Sequence, residues 1–170
     1  MCFVTSMAAP KRSLRGAQPA PQMTVDTPAP LSAPTLVDTA VWTWVRDRRR
    51  PDLAAWFNRE AKSGRILVCD LVIVELVRLA PNSQRAADVA ERLAAFASVP
   101  MPGSLWQRVR GLQQDLAAAG THRGVPPADL LIAAAALEAD VELLHYDRDY
   151  EAIGAVSTLR HRWLVERGSL

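Results

Sequence analysis

The sequence is poor in the residues that several kinds of site require. Only two cysteines occur in 170 residues, Cys2 and Cys69, which excludes a disulfide framework and a cysteine-rich zinc site. Lysine is equally rare, with Lys11 and Lys62 alone, and there is no phosphate-binding loop of the form G-x-x-x-x-G-K-[ST]. No apolar run approaches the roughly 18 residues that a membrane-spanning helix needs. We therefore expect a protein of the reducing cytoplasm, without a membrane segment.

Excess charge of one sign is also missing. Twenty basic residues against 18 acidic residues leave a net charge of +2, too little to indicate nucleic-acid binding by charge alone. Three of those basic residues and one acid lie in residues 1–34, so residues 35–170 contain 17 of each. With 49% hydrophobic residues, the chain suits one globular domain with a short appendage.

The first 34 residues differ in composition from the rest. They contain half of the 12 prolines and a single acid, Asp26. We expect residues 1–34 to be a disordered extension, or sequence upstream of the real start with Met23 as an alternative initiator. A secretory signal is not expected, because the basic residues here follow the short apolar patch instead of preceding it. The folded domain is predicted to be residues 35–170.

From residue 35 onward, short apolar runs alternate with helical patterns. Strands are predicted at 36–37, 65–69, 98–100, 142–145 and 157–159, with helices between them. This alternation predicts an α/β fold, with a central, mostly parallel sheet covered by helices on both faces. Sites in such sheets form beyond the carboxyl ends of the strands, so the polar residues there are the candidates for function.

Acidic residues occupy these positions. Asp38 follows the first strand, and Asp147 and Asp149 follow a later one. Glu75 lies in a helix that is apolar on almost every side, and Asp129 lies in the first turn of another apolar helix. Each acid alone fits an ordinary role as a helix cap, a dipole partner or half of a salt bridge. Together they predict a carboxylate cluster that needs a hard cation such as Mg²⁺ or Mn²⁺ to offset its repulsion.

Four segments around these acids resemble the PIN-domain ribonucleases, and most closely the VapC toxins of bacterial toxin–antitoxin modules. The segments are LVDTAVW at 36–42, CDLVIVEL at 69–76, PADLLIAAAA at 127–136 and LLHYDRDY at 143–150. Each is weak by itself, but all four occur in the family's order from residue 35 to about 155. The resemblance implies a PIN-like α/β/α sandwich.

The resemblance also implies an activity. It is that of a Mg²⁺- or Mn²⁺-dependent endoribonuclease in which Asp38, Glu75 and Asp129 hold the metal, with Asp147 or alternatively Asp149 as the fourth acid. Water activated by the metal would cut cellular RNA to leave 5′-phosphate and 3′-hydroxyl ends. The implied partners are a VapB-type antitoxin, whose C-terminal segment blocks the acids, and a second copy of the toxin. Whether the RNA is tRNA, rRNA or mRNA stays open.

The histidines do not belong to this pattern. His145 stands two positions before Asp147, where the family often has a hydroxyl residue. His122 and His161 lie outside the four motifs, and we predict that both are surface residues.

Further residues are candidates for contacts with the substrate or the partner. Thr39 either caps a helix or bonds a carboxylate or water of the site. Trp42 and Trp44 are two positions apart on one helix, so one is predicted to be in the core and the other to line a groove. The sequence has one dense basic cluster, formed by Arg46, Arg48, Arg49 and Arg50. We interpret it either as a solvated helix end or as a clamp for the RNA backbone.

Other functional classes fit the sequence less well. An aspartate-nucleophile phosphohydrolase needs a second acid at position 40, which is Ala40, and a lysine later than Lys62. A receiver domain lacks the same lysine and an acid pair near its start. A catalytically inactive PIN scaffold that binds protein or RNA is the remaining alternative, and the presence of all four acids disfavours it.

Overall fold

A computed structural model of the protein describes residues 27–170. Within this range, strands and helices alternate along the chain as the sequence predicts. The strands are β1 (Thr35–Val37), β2 (Ile66–Cys69), β3 (Ala97–Val99), β4 (Glu142–His145) and β5 (His161–Trp163). The helices are α1 (Thr39–Trp44), α2 (Pro51–Lys62), α3 (Asp70–Arg78), α4 (Ser83–Leu93), α5 (Leu105–Ala118), α6 (Pro127–Glu138) and α7 (Asp149–Ala155).

The strands form one parallel sheet in the order β3-β2-β1-β4-β5. Thr35 of β1 is paired with Ile66 on one side and with Glu142 on the other, which makes β1 the central strand. From β1 the chain moves outward to β2 and β3, and it then returns to the other side of β1 to form β4 and β5. β1 and β4 therefore flank the point where the strand order reverses, which is where open α/β sheets bind their ligands. The predicted α/β architecture is confirmed.

Helix α6 shows how the apolar sequence pattern builds the core. The run from Ala133 to Ala136 is fully buried, because small side chains allow α6 to pack closely against both the sheet and α5. This packing leaves the first turn of α6, with Asp129, at the carboxyl edge of the sheet. Of the helices in residues 27–170, none has the length and apolar character that crossing a bilayer requires.

Residues 27–34 pack against the domain, although the sequence places them in a disordered extension. Leu31 is 2% exposed, and its N–H donates to Glu60 Oε2 at 3.3 Å. The indole N–H of Trp56 donates to the carbonyl of Ala29 at 3.2 Å. Apolar burial and these two hydrogen bonds hold the segment against α2. The prediction for residues 1–26, including Met23 as an alternative start, lies outside the described residues.

The last strand lies at His161–Trp163 and not at the predicted 157–159. The hydroxyl of Ser157 donates to the carbonyl of Ile153 at 2.7 Å and accepts from the N–H of Leu159 at 3.2 Å. These bonds make residues 157–159 the turn that ends α7, so the strand begins only after it. Leu159 is nevertheless buried, which explains why the sequence pattern there resembles a strand.

Candidate active site

Asp38 lies directly after the central strand and is almost fully buried, with 6% of its surface exposed. Its N–H donates to the carbonyl of Leu144 in β4 at 3.0 Å, and its Oδ2 accepts from the N–H of Ala40 at 3.0 Å, as an N-cap of α1 does. The hydroxyl of Tyr150 donates to Oδ1 at 2.8 Å. Burial raises the pKa of Asp38 in spite of these hydrogen bonds, and the charge of Glu75 adds to the rise.

Glu75 reaches the same edge of the sheet from α3. The hydroxyl of Thr39, the first residue of α1, donates to Glu75 Oε2 in a short hydrogen bond. Thr39 therefore contacts a carboxylate of the site, which is one of its two predicted roles. In residues 27–170 no ion pair joins Glu75 to Arg78, the structural alternative that the sequence offers for this acid.

Three more carboxylates lie together on the other side of Asp38. Asp129 comes from the first turn of α6, Asp147 from the loop after β4, and Asp149 from the start of α7. Each offers an oxygen, and these oxygens lie within 4.8 Å of one another. The N–H of Asp149 donates to Asp147 Oδ1 at 3.0 Å, which fixes the turn between them. Both candidates for the fourth acid are therefore in place, and the choice between them stays open.

The pKa of Asp129 indicates that Asp38 and Glu75 belong to the same site as the three other acids. The pKa of Asp129 rises to about 7, first because the side chain is buried and then because four other carboxylates lie near it. We refer to these five residues as the acid cluster: Asp38, Glu75, Asp129, Asp147 and Asp149. Arg148 lies 3.9 Å from Asp149 but is largely exposed, and in the described part of the chain no ion pair neutralises the other four acids. All the donors are oxygens, as Mg²⁺ and Mn²⁺ prefer.

Sequence reasoning missed Tyr150, which is fully buried and bonds to Asp38. The two residues are 112 positions apart, so no local pattern joins them. The surface assignment of two histidines is wrong. His161 is half-buried and lies against the buried His145, and His122 is half-buried with its Nδ1 enclosed. No motif identifies these contacts, since they depend on how β5 and the loop before α6 pack.

One of the two tryptophans of α1 is in the core, as predicted, but the same residue and not the other one lines the groove. Trp42 is the core residue: it is 5% exposed, its indole N–H donates to the carbonyl of Val37 at 3.3 Å, and its ring packs edge-on against Phe57 and Phe96. Trp44 is half-buried and contacts the ring of Tyr146. Trp42 also forms part of the floor of a groove of about 490 Å³ between α1, α2 and α4.

The predicted basic cluster lies in the loop between α1 and α2 and is partly neutralised. Arg49 forms an ion pair with Asp47 at 2.7 Å, and Arg50 forms one with Asp52 at 2.8 Å. Arg46 and Arg48 are exposed and make no ion pair within residues 27–170. Any cationic contact of this loop with RNA is therefore expected mainly from Arg46 and Arg48 and less from Arg49.

Comparison with known proteins gives one family. The family model described as "PIN domain" matches residues 35–156. The chain is 32% identical over 136 residues to ribonuclease VapC18 of Mycobacterium tuberculosis, which covers 79% of this chain and 97% of that protein. It is 31% identical over 135 residues to ribonuclease VapC51 of the same organism, covering 79% and 96% of the two chains.

Solved structures agree on the fold. The crystal structure of DNA-bound VapBC from Salmonella typhimurium contains a chain that superposes with a TM-score of 0.62. The superposition covers 78% of this chain and 98% of that chain, at 17% sequence identity. At this level of identity the likeness extends to the arrangement of strands and helices, including the PIN-like α/β/α sandwich that the sequence predicts.

Proposed function

The chain belongs to the PIN-domain family, and from this we propose that it is a divalent-metal-dependent endoribonuclease that acts as the toxin of a toxin–antitoxin pair. The observation that supports this most directly is the acid cluster. Five carboxylates from four separate parts of the chain lie at one edge of the sheet, and three of them lie within 4.8 Å of one another. A fold gains no stability from such repulsion, so the arrangement favours a cation-dependent function.

The acid cluster fits Mg²⁺ or Mn²⁺. We assign Asp38, Glu75, Asp129 and Asp147, or alternatively Asp149, as the residues that would hold one or two ions. A bound divalent ion supplies two kinds of help in phosphodiester hydrolysis, activation of water and an offset for the negative charge of the transition state. The protein's part is to hold the carboxylates in place through Tyr150, Thr39 and the backbone amide of Ala40. No histidine is needed as a general base.

RNA is the proposed substrate, and hydrolysis by water predicts 5′-phosphate and 3′-hydroxyl ends. Attack by the ribose 2′-hydroxyl would give a cyclic phosphate instead. Arg46 and Arg48 are the proposed contacts to the RNA backbone, and Thr39 lies beside the acids. Charge removal at Arg46 and Arg48 should flatten the salt dependence of RNA binding, whereas an unchanged slope would remove them from the interface.

An antitoxin is the proposed protein partner, as in the VapBC complexes of similar fold. The groove of about 490 Å³ has an apolar floor that includes Trp42, Phe57 and Phe96. Exposed arginines line it as well, at Arg46, Arg85 and Arg92. This combination suits a segment with apolar anchors and acidic flanks. Trp42 of this groove lies on α1, the helix that Asp38 caps, so a segment bound there would be expected to extend toward the acid cluster.

A homodimer is proposed as well. Val74 and Leu79, within and just after α3, are 61% and 55% exposed, and Trp106 on α5 is 50% exposed. Large apolar side chains with this exposure are typical of surfaces that a partner covers. Light scattering on the purified protein measures the mass directly, and a monomer at all concentrations would contradict the dimer.

The test of the nuclease compares the wild type with Asp38→Asn on labelled RNA in Mg²⁺, in Mn²⁺ and in EDTA. Asparagine keeps the helix cap, so we expect a folded variant whose cleavage rate falls at least about 100-fold. The matched control is Asp115→Asn, an exposed acid of α5, which should cleave at the wild-type rate. Cleavage in EDTA, or cyclic-phosphate ends, would contradict the mechanism. RNA or antitoxin binding without cleavage in any metal would favour the alternative, an inactive PIN scaffold.

A further inference from the structure

Two imidazole rings, those of His145 and His161, lie next to the main chain of Asp147. His145, the last residue of β4, is completely buried, and its Nδ1 is 3.2 Å from the backbone nitrogen of Asp147. Its Nε2 is 2.9 Å from Nδ1 of His161, the first residue of β5. The rings of Tyr150 and Trp163 pack on His145 at centroid distances of 5.0 Å. The nuclease chemistry proposed above uses neither histidine.

The hydrogen bonds fix where the protons lie. Because the N–H of Asp147 donates to Nδ1 of His145, the ring proton of His145 is on Nε2 and donates to Nδ1 of His161. The N–H of Asp149 in turn donates to Asp147 Oδ1. One continuous series of hydrogen bonds therefore connects β5 to the turn that contains both acids.

Gly154 of α7 makes room for this arrangement. A Cβ atom at position 154 would lie 2.5 Å from Nε2 and 2.7 Å from Cδ2 of His161, closer than real Cβ contacts occur. Since β5 supplies His161 and the chain after β4 supplies both acids and α7, any larger residue at 154 must displace the ring or the helix. Glycine here is explained by the position of His161, because its φ angle is not in the left-handed region.

We propose that His145 and His161 are positioning residues for the metal site: His145 holds the main chain at Asp147, and His161 holds the ring of His145. In this chain an imidazole thus stands where the family often has a hydroxyl. The inference rests on the proposed metal site, because its consequence is the orientation of the carboxylates of Asp147 and Asp149 toward Asp129. Partners behind a ligand usually matter for metal affinity in this way.

Simple packing is the competing explanation, and two substitutions of similar size separate it from positioning. In His145→Asn, the side-chain oxygen falls near the place of Nδ1 and can still accept from Asp147. In His145→Gln, the amide falls near the place of Nε2, so contact with His161 is kept while the N–H of Asp147 loses its acceptor. If His145 only fills space, the longer glutamine should reduce metal affinity less than asparagine does. If His145 positions Asp147, asparagine should reduce metal affinity less than glutamine does.

The readout is the affinity of the full-length, metal-free protein for Mn²⁺ by isothermal titration calorimetry. We expect His145→Asn to bind within about twofold of the wild type and His145→Gln to bind about tenfold more weakly. Equal affinity of His145→Gln and the wild type would overturn the proposal. Gly154→Ala is the second variant, since it moves His161 without changing any polar group, and we expect a loss of about threefold. Unchanged Mn²⁺ binding in Gly154→Ala would remove His161 from the role.

Two further measurements keep the outcomes distinct. Long-range ¹H–¹⁵N spectra of the wild type with labelled histidine report the tautomer, and a proton on Nδ1 of His145 would overturn the proposal without any variant. Asp129→Asn serves as the reference for the metal site, because it should abolish Mn²⁺ binding. The positioning role alone fails if Mn²⁺ binds to the wild type and equally well to His145→Gln but does not bind to Asp129→Asn. If the wild type does not bind Mn²⁺, the proposed metal site fails with it.

Discussion

The carboxylates at the two ends of the sheet differ in how many of them have a basic side chain beside them. At the amino end, Glu60 is 1% exposed, accepts from the N–H of Leu31 at 3.3 Å, and has Arg65 at 3.3 Å and Arg59 at 3.8 Å. At the carboxyl end, the acid cluster forms one ion pair within the described residues, between Asp149 and the exposed Arg148 at 3.9 Å. Two arginines lie beside the single carboxylate of Glu60, whereas four of the five acids in the cluster have no ion pair among the described residues.

This difference distinguishes acidic residues that stabilise the fold from acidic residues that form a functional site. A buried acid that is paired with arginine contributes to holding elements together, and at Glu60 it fixes the segment before β1 to α2. Buried and half-buried acids that lie beside other acids, as in the cluster, cost stability, which the fold must offset elsewhere. Burial alone therefore does not identify a site, whereas burial combined with missing countercharge does.

The largest expected effect is on catalysis at the carboxyl end. Asp129→Asn should lower kcat/KM for RNA at least about 1000-fold, because it removes a metal ligand from the centre of the acid cluster. The same variant should be no less stable than the metal-free wild type, since one repelling charge is gone. Cleavage assays in Mn²⁺ and urea unfolding measure the two quantities. If Asp129→Asn is active and less stable than the wild type, Asp129 stabilises the fold, as Glu60 does, and does not bind metal.

The opposite result is expected at the amino end. Glu60→Ala should lower the free energy of unfolding by about 2 to 3 kcal/mol, because the N–H of Leu31 loses its acceptor, whereas the exposed Arg65 and Arg59 lose only a screened partner. Activity per folded molecule should stay at the wild-type level. Glu138→Ala is the matched control, since its ion pair with Arg108 is half-exposed and should contribute under about 1 kcal/mol. Equal costs for the two variants would contradict the assigned role of Glu60.

The pH dependence of stability is the next effect in size. The folded state raises the pKa of Asp129 from 3.8 to about 7, so between these pH values it retains a proton that the unfolded chain has released. The metal-free protein should therefore lose about 2 kcal/mol of stability as the pH rises from about 5 to 8. Urea unfolding at the two pH values measures this loss. Mn²⁺ should reverse it at the higher pH, and Asp129→Asn should show a smaller slope; stability that rises with pH would contradict the charge repulsion.

The smallest effect concerns the hydroxyl that supports Asp38. Tyr150→Phe keeps the buried ring and removes the hydrogen bond to Oδ1 of Asp38. Loss of one hydrogen bond to a charged group should lower kcat/KM about fivefold, corresponding to about 1 kcal/mol. Steady-state cleavage at saturating Mn²⁺ measures it. An unchanged kcat/KM would mean that the metal and the helix cap suffice to hold Asp38.

Local patterns in the sequence were enough to predict most of the fold and the acids. The first four strands lie within two residues of their predicted positions, and the acids could be located because parallel strands bring their carboxyl ends to one edge. β5 was misplaced, since Ser157 bonds back to α7 and turns an apolar stretch into a helix end.

Contacts that depend on tertiary packing could not be predicted in the same way. The bond between Tyr150 and Asp38 joins distant parts of the chain, and so does the contact of His145 with His161. The hydrogen bond from Leu31 to Glu60 also spans 29 positions, although the two arginines beside Glu60 lie within five residues of it in the sequence. The identity of the metal ligands stays a prediction that the variants above test.

The central place of β1 has a consequence for the newly made protein. Asp38 and Glu75 leave the ribosome early, but Asp129 and Asp147 follow only after α5, and β1 pairs with β4 only when most of the domain has been synthesised. A nascent or truncated chain that ends before α6 thus contains two of the five acids of the cluster, and the other three follow only with α6 and the segments after it. We expect no RNA cleavage by a chain that stops before α6, so the cell meets an active nuclease only when translation of the domain is nearly complete.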